Sequence, residues 1–209
     1  MTMHIIFSVP SFDDLIRLLR AWRFWSVGAL IGGLLGAGFY YLAPPPYRAH
    51  AVVLVDFNLE QAWPQETDRQ QFYYLERETR KMEELAFSDE ALQSVVAATP
   101  GITLEELRGD MLRLSQPAEG GWNFYVDGRD PQQAALLATT WATRFTELVR
   151  TEVLLDGGLN SYIEAYVTRA AAVPVERSAS QGLYIFTGAV LFLMAGSVVV
   201  LFVRGRAVG

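Results

Sequence analysis

The sequence predicts a small extracytoplasmic α+β domain, an antiparallel sheet covered by helices, flanked by two transmembrane helices. Two uncharged apolar blocks near the ends of the 209-residue chain, and the strand and helix patterns between them, predict this class. The blocks are residues 24–43 and 182–203. As α-helices rising about 1.5 Å per residue, both would span the roughly 30 Å of a bilayer core.

Two other interpretations of the apolar blocks are weaker. Buried core helices rarely run for so long without a polar residue. A cleaved signal peptide has a shorter apolar core, and Pro44, Pro45 and Pro46 follow the small-residue site at which cleavage would occur. An uncleaved anchor is therefore the better interpretation of the first block.

Arginine placement predicts the orientation of the two spans. Arg17, Arg20 and Arg23 precede the first span, and Arg204 and Arg206 follow the second. Cytoplasmic flanks are enriched in Lys and Arg, so we expect a multi-pass protein of the inner (cytoplasmic) membrane with both termini in the cytoplasm. The predicted segments are a cytoplasmic piece 1–23, the span 24–43, a periplasmic or extracellular domain 44–181, the span 182–203 and a tail 204–209.

Charge and composition narrow the possible partners. Residues 44–182 hold 21 Asp and Glu against 12 Lys and Arg, a net charge of −9. A nucleic-acid partner is not expected, because a basic face is missing. The chain has no cysteine, which permits an oxidising compartment.

The cytoplasmic piece begins with a helix signal, because Ser11 precedes Asp13 and Asp14. The apolar residues that follow recur at helical spacing: Leu15, Leu18, Leu19 and Trp22. This pattern favours a short amphipathic helix on the membrane surface. The alternative is a plain extension of the first span.

Three glycines four residues apart lie in the first span: Gly28, Gly32 and Gly36. A doubled small-xxx-small pattern on one helix face lets a second backbone approach closely. We expect a helix-packing and oligomerisation face here. Its partner is either the second span or a helix of another subunit.

The first element between the spans is a strand that leaves the membrane. The prolines at 44–46 end the helix and force an extended chain. From Tyr47 onward the residues alternate, and one face consists of Ala49, Ala51, Val53 and Val55. This period of two predicts a half-buried strand.

Residues 66–99 predict two helices separated by a break at Phe87 and Ser88, with Ser88 capping the second. The apolar stripe expected on the first is Phe72, Leu75, Met82 and Leu85. Glu76 and Arg80 predict an i,i+4 ion pair on its solvated face.

A capping box and two strands follow. Thr103 and Glu106 are spaced as a capping box for a short helix. Residues 111–116 and 122–127 predict an antiparallel strand pair that shares a sheet with the strand from Tyr47.

A long helix follows the strand pair. Asp130 is placed to cap it, Pro131 suits its first position, and Gln133 is placed to close a capping box. The residues expected to face the sheet are Ala134, Leu137, Ala138, Trp141, Phe145 and Leu148, with Trp141 and Phe145 in the structural core. After a break at Gly157 and Gly158, residues 159–171 predict a short further helix.

Residues that carry chemistry are sparse. His4 and His50 belong to opposite sides of the membrane, so they predict no shared metal site. A phosphate-binding loop and a serine elbow motif do not occur. Asp127 and Asp130 are better explained by a turn and a helix cap than as a catalytic pair. We therefore expect no enzyme activity, no cofactor, and no catalytic or metal-ligating residue.

The order of these parts resembles the chain-length determinant family, the Wzz-type polysaccharide co-polymerases, in a short form without a kinase domain. Three stretches carry the resemblance, over about half of the chain. They are "DLIRLLRAWRFW" before the first span, "YRAHAVVLV" after it, and "GITLEELRGDMLRLSQPAEGGWNFYVDGRDPQQAALLATTWATRF", in which "D-P-x-x-A" opens the long helix. None of the three is a catalytic fingerprint.

The resemblance implies a function. Subunits of that family assemble side by side as homo-oligomers and regulate the length or export of a lipopolysaccharide O-antigen, capsule or exopolysaccharide, acting with a membrane polymerase or export machinery. Relatives in capsule or exopolysaccharide export work with a tyrosine kinase. In this chain the tail has no tyrosine, so any cytoplasmic kinase would be a separate chain. Arg144 and Glu147, near the end of the long helix, are candidates for a polar contact between subunits.

The chain departs from the family pattern in two ways, and two other functions remain as alternatives. Only residues 150–173 are available for the family's extended arm, and its proline-rich signature is reduced to Pro174. The chain is alternatively a non-catalytic accessory or structural subunit of another membrane complex, or a membrane-anchored sensor. A sensor requires an apolar pocket with converging polar groups, and the sequence predicts no clear one.

Overall fold

The computed structural model describes residues 16, 20, 22–62, 68–116, 121–155 and 158–205. They divide into a helical unit formed by the two ends of the chain and an α+β unit, Pro46–Ser178. Most of the predicted amphipathic piece 1–23, with its Ser11 cap, lies outside the described residues, as do Arg17 and Arg206.

The helical unit consists of two apolar helices. Helix α1 is Trp22–Leu42 and helix α7 is Gln181–Gly205, close to the predicted spans 24–43 and 182–203. Both are long and apolar enough to cross a membrane. Only 17% of the most apolar window of α1 and 0% of that of α7 is buried, whereas a core helix of a soluble protein is mostly buried. The helices therefore present a wide apolar surface, on which Leu34 and Phe186 are 65% and 67% exposed.

The α+β unit contains four strands and five further helices among its described residues. The strands are β1 (Tyr47–Asp56), β2 (Leu112–Ser115), β3 (Gly121–Gly128) and β4 (Glu164–Arg169). The helices are α2 (Leu59–Ala62), α3 (Asp68–Ala86), α4 (Asp89–Ala98), α5 (Leu104–Glu106) and α6 (Pro131–Val153), and a π-helical turn, Leu107–Met111, joins α5 to β2.

The sheet has the strand order β2-β3-β1-β4, and every neighbouring pair is antiparallel. With α3 and α4 before β2, and α6 before β4, this is the β-α-β-β-α-β order of ferredoxin-like folds. The α+β class, the antiparallel pairing of β2 with β3, and their shared sheet with β1 are confirmed.

Local side-chain signals set the helix starts as predicted. Ser88 accepts the backbone N–H of Ala91 at the start of α4, and Thr103 and Glu106 form a complete capping box on α5. Asp130 accepts the N–H of Gln133, 2.8 Å away, at the start of α6, but the Gln133 side chain does not close the predicted capping box. These caps satisfy backbone donors that a helix leaves open in its first turn.

Helix α6 covers one face of the sheet and completes the core. The predicted inward residues of β1 are at most 4% exposed: Ala49, Ala51, Val53 and Val55. On α6, the buried stripe includes Ala134, Leu137, Ala138, Trp141 and Phe145. The predicted stripe is wrong only at Leu148, which is half-buried, since Val149 turns inward in its place.

The short helix predicted over residues 159–171 is wrong, because this part of the chain forms β4. Strand β4 pairs with the free edge of β1, with Val55 opposite Ala165 and Val53 opposite Val167. The pairing satisfies backbone groups that β1 would otherwise leave open, and it buries Ile163 and Ala165. Residues 150–153 end α6, so no extended arm follows it in the described residues.

The predicted apolar stripe of α3 is wrong at Phe72, which is 63% exposed. The buried face instead includes Glu78, which is 0% exposed, together with Met82. The Glu78 carboxylate accepts the Arg77 Nε–H at 2.8 Å and the backbone N–H of Asn160 at 3.2 Å. Those bonds compensate the desolvation of the buried Glu78 carboxylate. A prediction from side-chain polarity alone therefore assigned the wrong side of α3 to the core. The predicted Glu76–Arg80 pair is present on the exposed side, at 3.5 Å.

Candidate functional site

The glycines of α1 meet α7 inside the helical unit. Gly32 and Gly36 are buried. A Cβ on Gly32 would collide with the carbonyl oxygen of Gly188 and stand 2.7 Å from the Cβ of Phe192, and a Cβ on Gly36 would collide with the carbonyl oxygen of Tyr184. Because only glycine permits this approach, the predicted packing face has an intramolecular partner at both positions.

Gly28 does not belong to this contact. A Cβ on Gly28 would meet nothing within 4 Å. The three-glycine face is therefore corrected to two glycines, because the third lies at an open position on α1. With Gly32 and Gly36 covered by α7, they cannot at the same time form a seam with another subunit.

The glycines of α7 that complete the contact were not predicted from the sequence. A Cβ on Gly188 would collide with the carbonyl oxygen of Gly32, and one on Gly196 would stand 3.1 Å from ring atoms of both Phe24 and Trp25. Gly188 and Gly196 are eight residues apart, about 80° around the helix axis, so both lie within one broad face of α7. That spacing was the available signal in the second span.

A ring contact marks the other end of the helix pair. The rings of Tyr40 and Tyr184 meet edge to face with centroids 5.5 Å apart. From this end to Phe24 and Gly196, the two helices run in opposite directions. An antiparallel hairpin of this kind is what a chain needs if both of its ends lie on one side of a membrane.

Trp141 and Phe145 lie in the core as predicted, each 0% exposed. The Trp141 indole donates its Nε1–H to the Ala86 carbonyl oxygen at 2.8 Å, and its ring meets Phe124 edge to face at 4.7 Å. Phe145 stacks on Trp122 with centroids 5.6 Å apart. Trp141 thus joins α6 to both the sheet and the end of α3.

The candidate subunit contact on α6 is an exposed ion pair. Arg144 Nη1 donates to Glu147 Oε2 at 2.5 Å, and the two side chains are 46% and 50% exposed. The pair borders a cavity of about 200 Å³ lined also by Glu90, Ser94, Leu148 and Thr151. Arg144 and Glu147 already form an ion pair with each other, so a neighbouring subunit would have to share or replace this bond.

Asp127 and Asp130 have separate structural partners. Both oxygens of Asp127 accept bonds from the Arg48 guanidinium, Nε to Oδ1 and Nη2 to Oδ2, each at 2.7 Å. This bidentate bond raises the pKa of Arg48 above its usual value, although burial opposes the shift. Asp130 is the α6 cap, so the geometry favours the structural interpretation of both carboxylates.

A cavity of about 620 Å³ opens beside the π-helical turn. Its charged lining has both signs, with Arg113 and Arg129 facing it together with Glu106, Asp110 and Asp127. The capping bonds from Thr103 lower the pKa of Glu106, so that group stays ionised. Among the described residues, no group of three His, Cys, Asp or Glu side chains is placed to hold a metal ion.

Comparison of the sequence with known protein families finds no match, and comparison with curated proteins finds none either. The resemblance to the chain-length determinants therefore rests on the order of parts and on the three stretches quoted above.

Proposed function

We propose that this chain is a membrane-anchored, non-catalytic subunit of an oligomeric co-polymerase, which regulates the chain length or export of a surface polysaccharide. One observation carries the proposal furthest. The α+β unit starts and ends at neighbouring residues, where the Ser178 N–H donates to the Pro46 carbonyl oxygen at 2.9 Å. A domain inserted between two membrane helices needs its two ends side by side.

The exposed apolar surface of α1 and α7 supports a membrane position. Large side chains such as Leu30, Leu34 and Met194 are at least 64% exposed, which is unfavourable in water and favourable in lipid. In the proposed topology the arginines at both ends lie in the cytoplasm and the α+β unit lies outside the inner membrane.

The proposed oligomer uses surfaces that the chain leaves open. Gly28 offers a site of close approach on α1, and the Arg144–Glu147 pair offers a polar contact on α6. A unit of this size without a catalytic role regulates polymer length by building a larger surface from several copies. Its partners in this proposal are copies of itself, a polysaccharide polymerase or export machinery and, where the system uses one, a separate cytoplasmic kinase.

Deletion of the gene, followed by gel analysis of the cell's surface polysaccharides, tests this function. We expect a shift or broadening of the length distribution, or loss of exported polymer, and restoration by the wild-type gene. Unchanged polysaccharides would contradict the proposal and favour an accessory subunit of another membrane complex or a sensor. Cross-linking in native membranes provides a second test, since a monomer would remove the physical basis of the mechanism.

A further inference from the structure

Among the described helices of the α+β unit, none of α2 to α5 packs on the face of the sheet opposite α6. Along β1 the residues that alternate with the buried ones are more exposed, and Arg48, His50 and Val52 lie on this open face. On β3 the corresponding residues include Asn123 and Tyr125. A sheet face left open in this way is either solvated or a binding surface.

One row of side chains crosses the open face over all four strands. Arg113 of β2 is opposite Tyr125 of β3, and Tyr125 is opposite His50 of β1. The rings of Tyr125 and His50 stack with centroids 5.4 Å apart. Arg169 of β4 completes the row, with its Nη2 2.6 Å from His50 Nε2. The row thus places an arginine at each end of an aromatic pair.

The contact with Arg169 determines the protonation state of the His50 imidazole. A guanidinium only donates hydrogen bonds, so His50 Nε2 must accept and the imidazole is neutral, with its proton on Nδ1. Burial lowers the pKa of His50, and the Arg169 charge lowers it further. The row therefore carries its positive charge on its two arginines, separated by a neutral aromatic pair.

These two arginines differ from the others near them. Among the described residues, neither Arg113 nor Arg169 forms an ion pair with a carboxylate, whereas Arg48 is paired with Asp127. At the Arg113 end of the row, the neighbouring cavity is also lined by Glu106, Asp110 and Asp127, of which Asp127 is paired with Arg48. Two further acids, Asp56 and Glu164, lie opposite one another at the far end of β1 and β4. In a chain of net charge −6, the row itself thus contains two arginines and no acid.

We propose that the row Arg113–Tyr125–His50–Arg169 binds a sugar chain that carries carboxylate or phosphate groups. The row extends over three interstrand spacings, roughly 14 Å, long enough for two anionic groups of an extended polymer. Arginine forms bidentate bonds to such groups, and the aromatic pair offers an apolar contact for a sugar ring between them. That the polymer is a sugar rests on the proposed function; its negative charge rests on the row itself.

Titration of full-length protein in nanodiscs of neutral phosphatidylcholine tests the site. The probe is a short oligogalacturonate, and a neutral malto-oligosaccharide of matching length is the comparison. We expect binding of the acidic probe that weakens with salt, and a loss of affinity of about tenfold for either Arg113→Gln or Arg169→Gln. Arg150→Gln removes the same charge from α6 and should leave the affinity unchanged.

Four outcomes would overturn the inference. Equal affinity in the row variants and in Arg150→Gln would remove the site, and equal affinity for the neutral probe would remove the role of charge. Equal affinity for a single-stranded oligonucleotide would reduce the row to a general polyanion surface. A gene deletion that alters polymer length, with no binding of the acidic probe, would retain the proposed function and reject this site.

Discussion

The guanidinium carbon of Arg177 lies 4.6 Å from the centroid of the Tyr47 ring, over its face. The same two residues form an isolated antiparallel bridge, next to the bond between Pro46 and Ser178. The first residue of β1 is thereby joined to the last segment of the α+β unit. The hydrogen bond between Ser178 and Pro46 and the cation–π contact between Arg177 and Tyr47 together keep the two ends of the unit adjacent.

Loss of the Tyr47 ring should weaken the contact with Arg177 that holds the two ends of the α+β unit together. We expect Tyr47→Leu to lower the free energy of unfolding by about 1–2 kcal/mol, because the cation–π contact and part of the ring burial are lost. Tyr47→Phe keeps the ring face and serves as the control. Chemical denaturation of the detergent-solubilised protein, followed by near-ultraviolet circular dichroism, measures the difference. Equal stability of the two variants would mean that the contact contributes nothing.

Substitutions at Trp141 test whether its side chain lies in the core of the α+β unit. Trp141→Asp should destabilise the α+β unit by roughly 4 kcal/mol or more, because it puts a charge where the indole is now fully buried. Trp141→Phe keeps an aromatic ring and loses the bond to the Ala86 carbonyl, so a loss of about 1–3 kcal/mol is expected. The free energies of unfolding of the two variants check this order. A Trp141→Asp protein that unfolds like wild type would place Trp141 outside the core.

Gly32→Leu should separate α1 from α7 within one chain, because the new side chain would occupy the position of the Gly188 backbone. The chain has no cysteine, so the pair Y40C and Y184C reports on the helix contact through a bifunctional cross-linker. We expect cross-linking to fall sharply in Gly32→Leu. Gly28→Leu is the matched control, since a Cβ at that position meets nothing within 4 Å. Equal cross-linking in both variants would contradict the packing.

Gly28→Leu has its own expected effect on assembly. If the open Gly28 position is where another subunit approaches, a leucine there should lower the oligomer size in mild detergent while the α1–α7 contact persists. Size-exclusion chromatography with light scattering measures the assembly. An unchanged oligomer would assign Gly28 to the lipid and leave the Arg144–Glu147 region as the remaining candidate.

His50 should titrate below its ordinary pKa of 6.5. Because the folded-state pKa is lowered, the neutral imidazole stabilises the fold fully above about pH 6.5, and this contribution is lost as the pH falls through the folded pKa. Arg169→Gln should raise the pKa of His50 only in part, since burial is the larger cause. Nuclear magnetic resonance titration of the His50 ring checks both statements. A pKa of 6.5 or above in the wild type would refute them.

The parts of the fold that were predictable rest on local signals. The Ser88, Thr103 and Asp130 caps are formed by bonds across three residues, so the sequence alone contains them. Strand β1 was predictable because its alternation covers ten residues. In each case the physical cause and the sequence pattern lie in the same short segment.

The parts that were missed depend on distant partners. Within the segment 159–171, residues 164–169 form a strand because β1, more than a hundred residues earlier, has an edge with which they pair. Glu78 faces inward because the Asn160 N–H, from a distant loop, meets its carboxylate. The row on the open face is also invisible in the sequence, since Arg113 and Arg169 come together only through the register of four strands.

The hydrogen bond between Ser178 and Pro46 would also determine how a mechanical force passes through the α+β unit. Tension between the two helices would enter and leave the unit at adjacent residues. Such tension would open the Tyr47–Arg177 contact one bond at a time, and the sheet behind it would stay unloaded until that contact failed. A force that pulls the two helices apart would thus strain the Tyr47–Arg177 contact first, and the sheet and its open face would keep their shape.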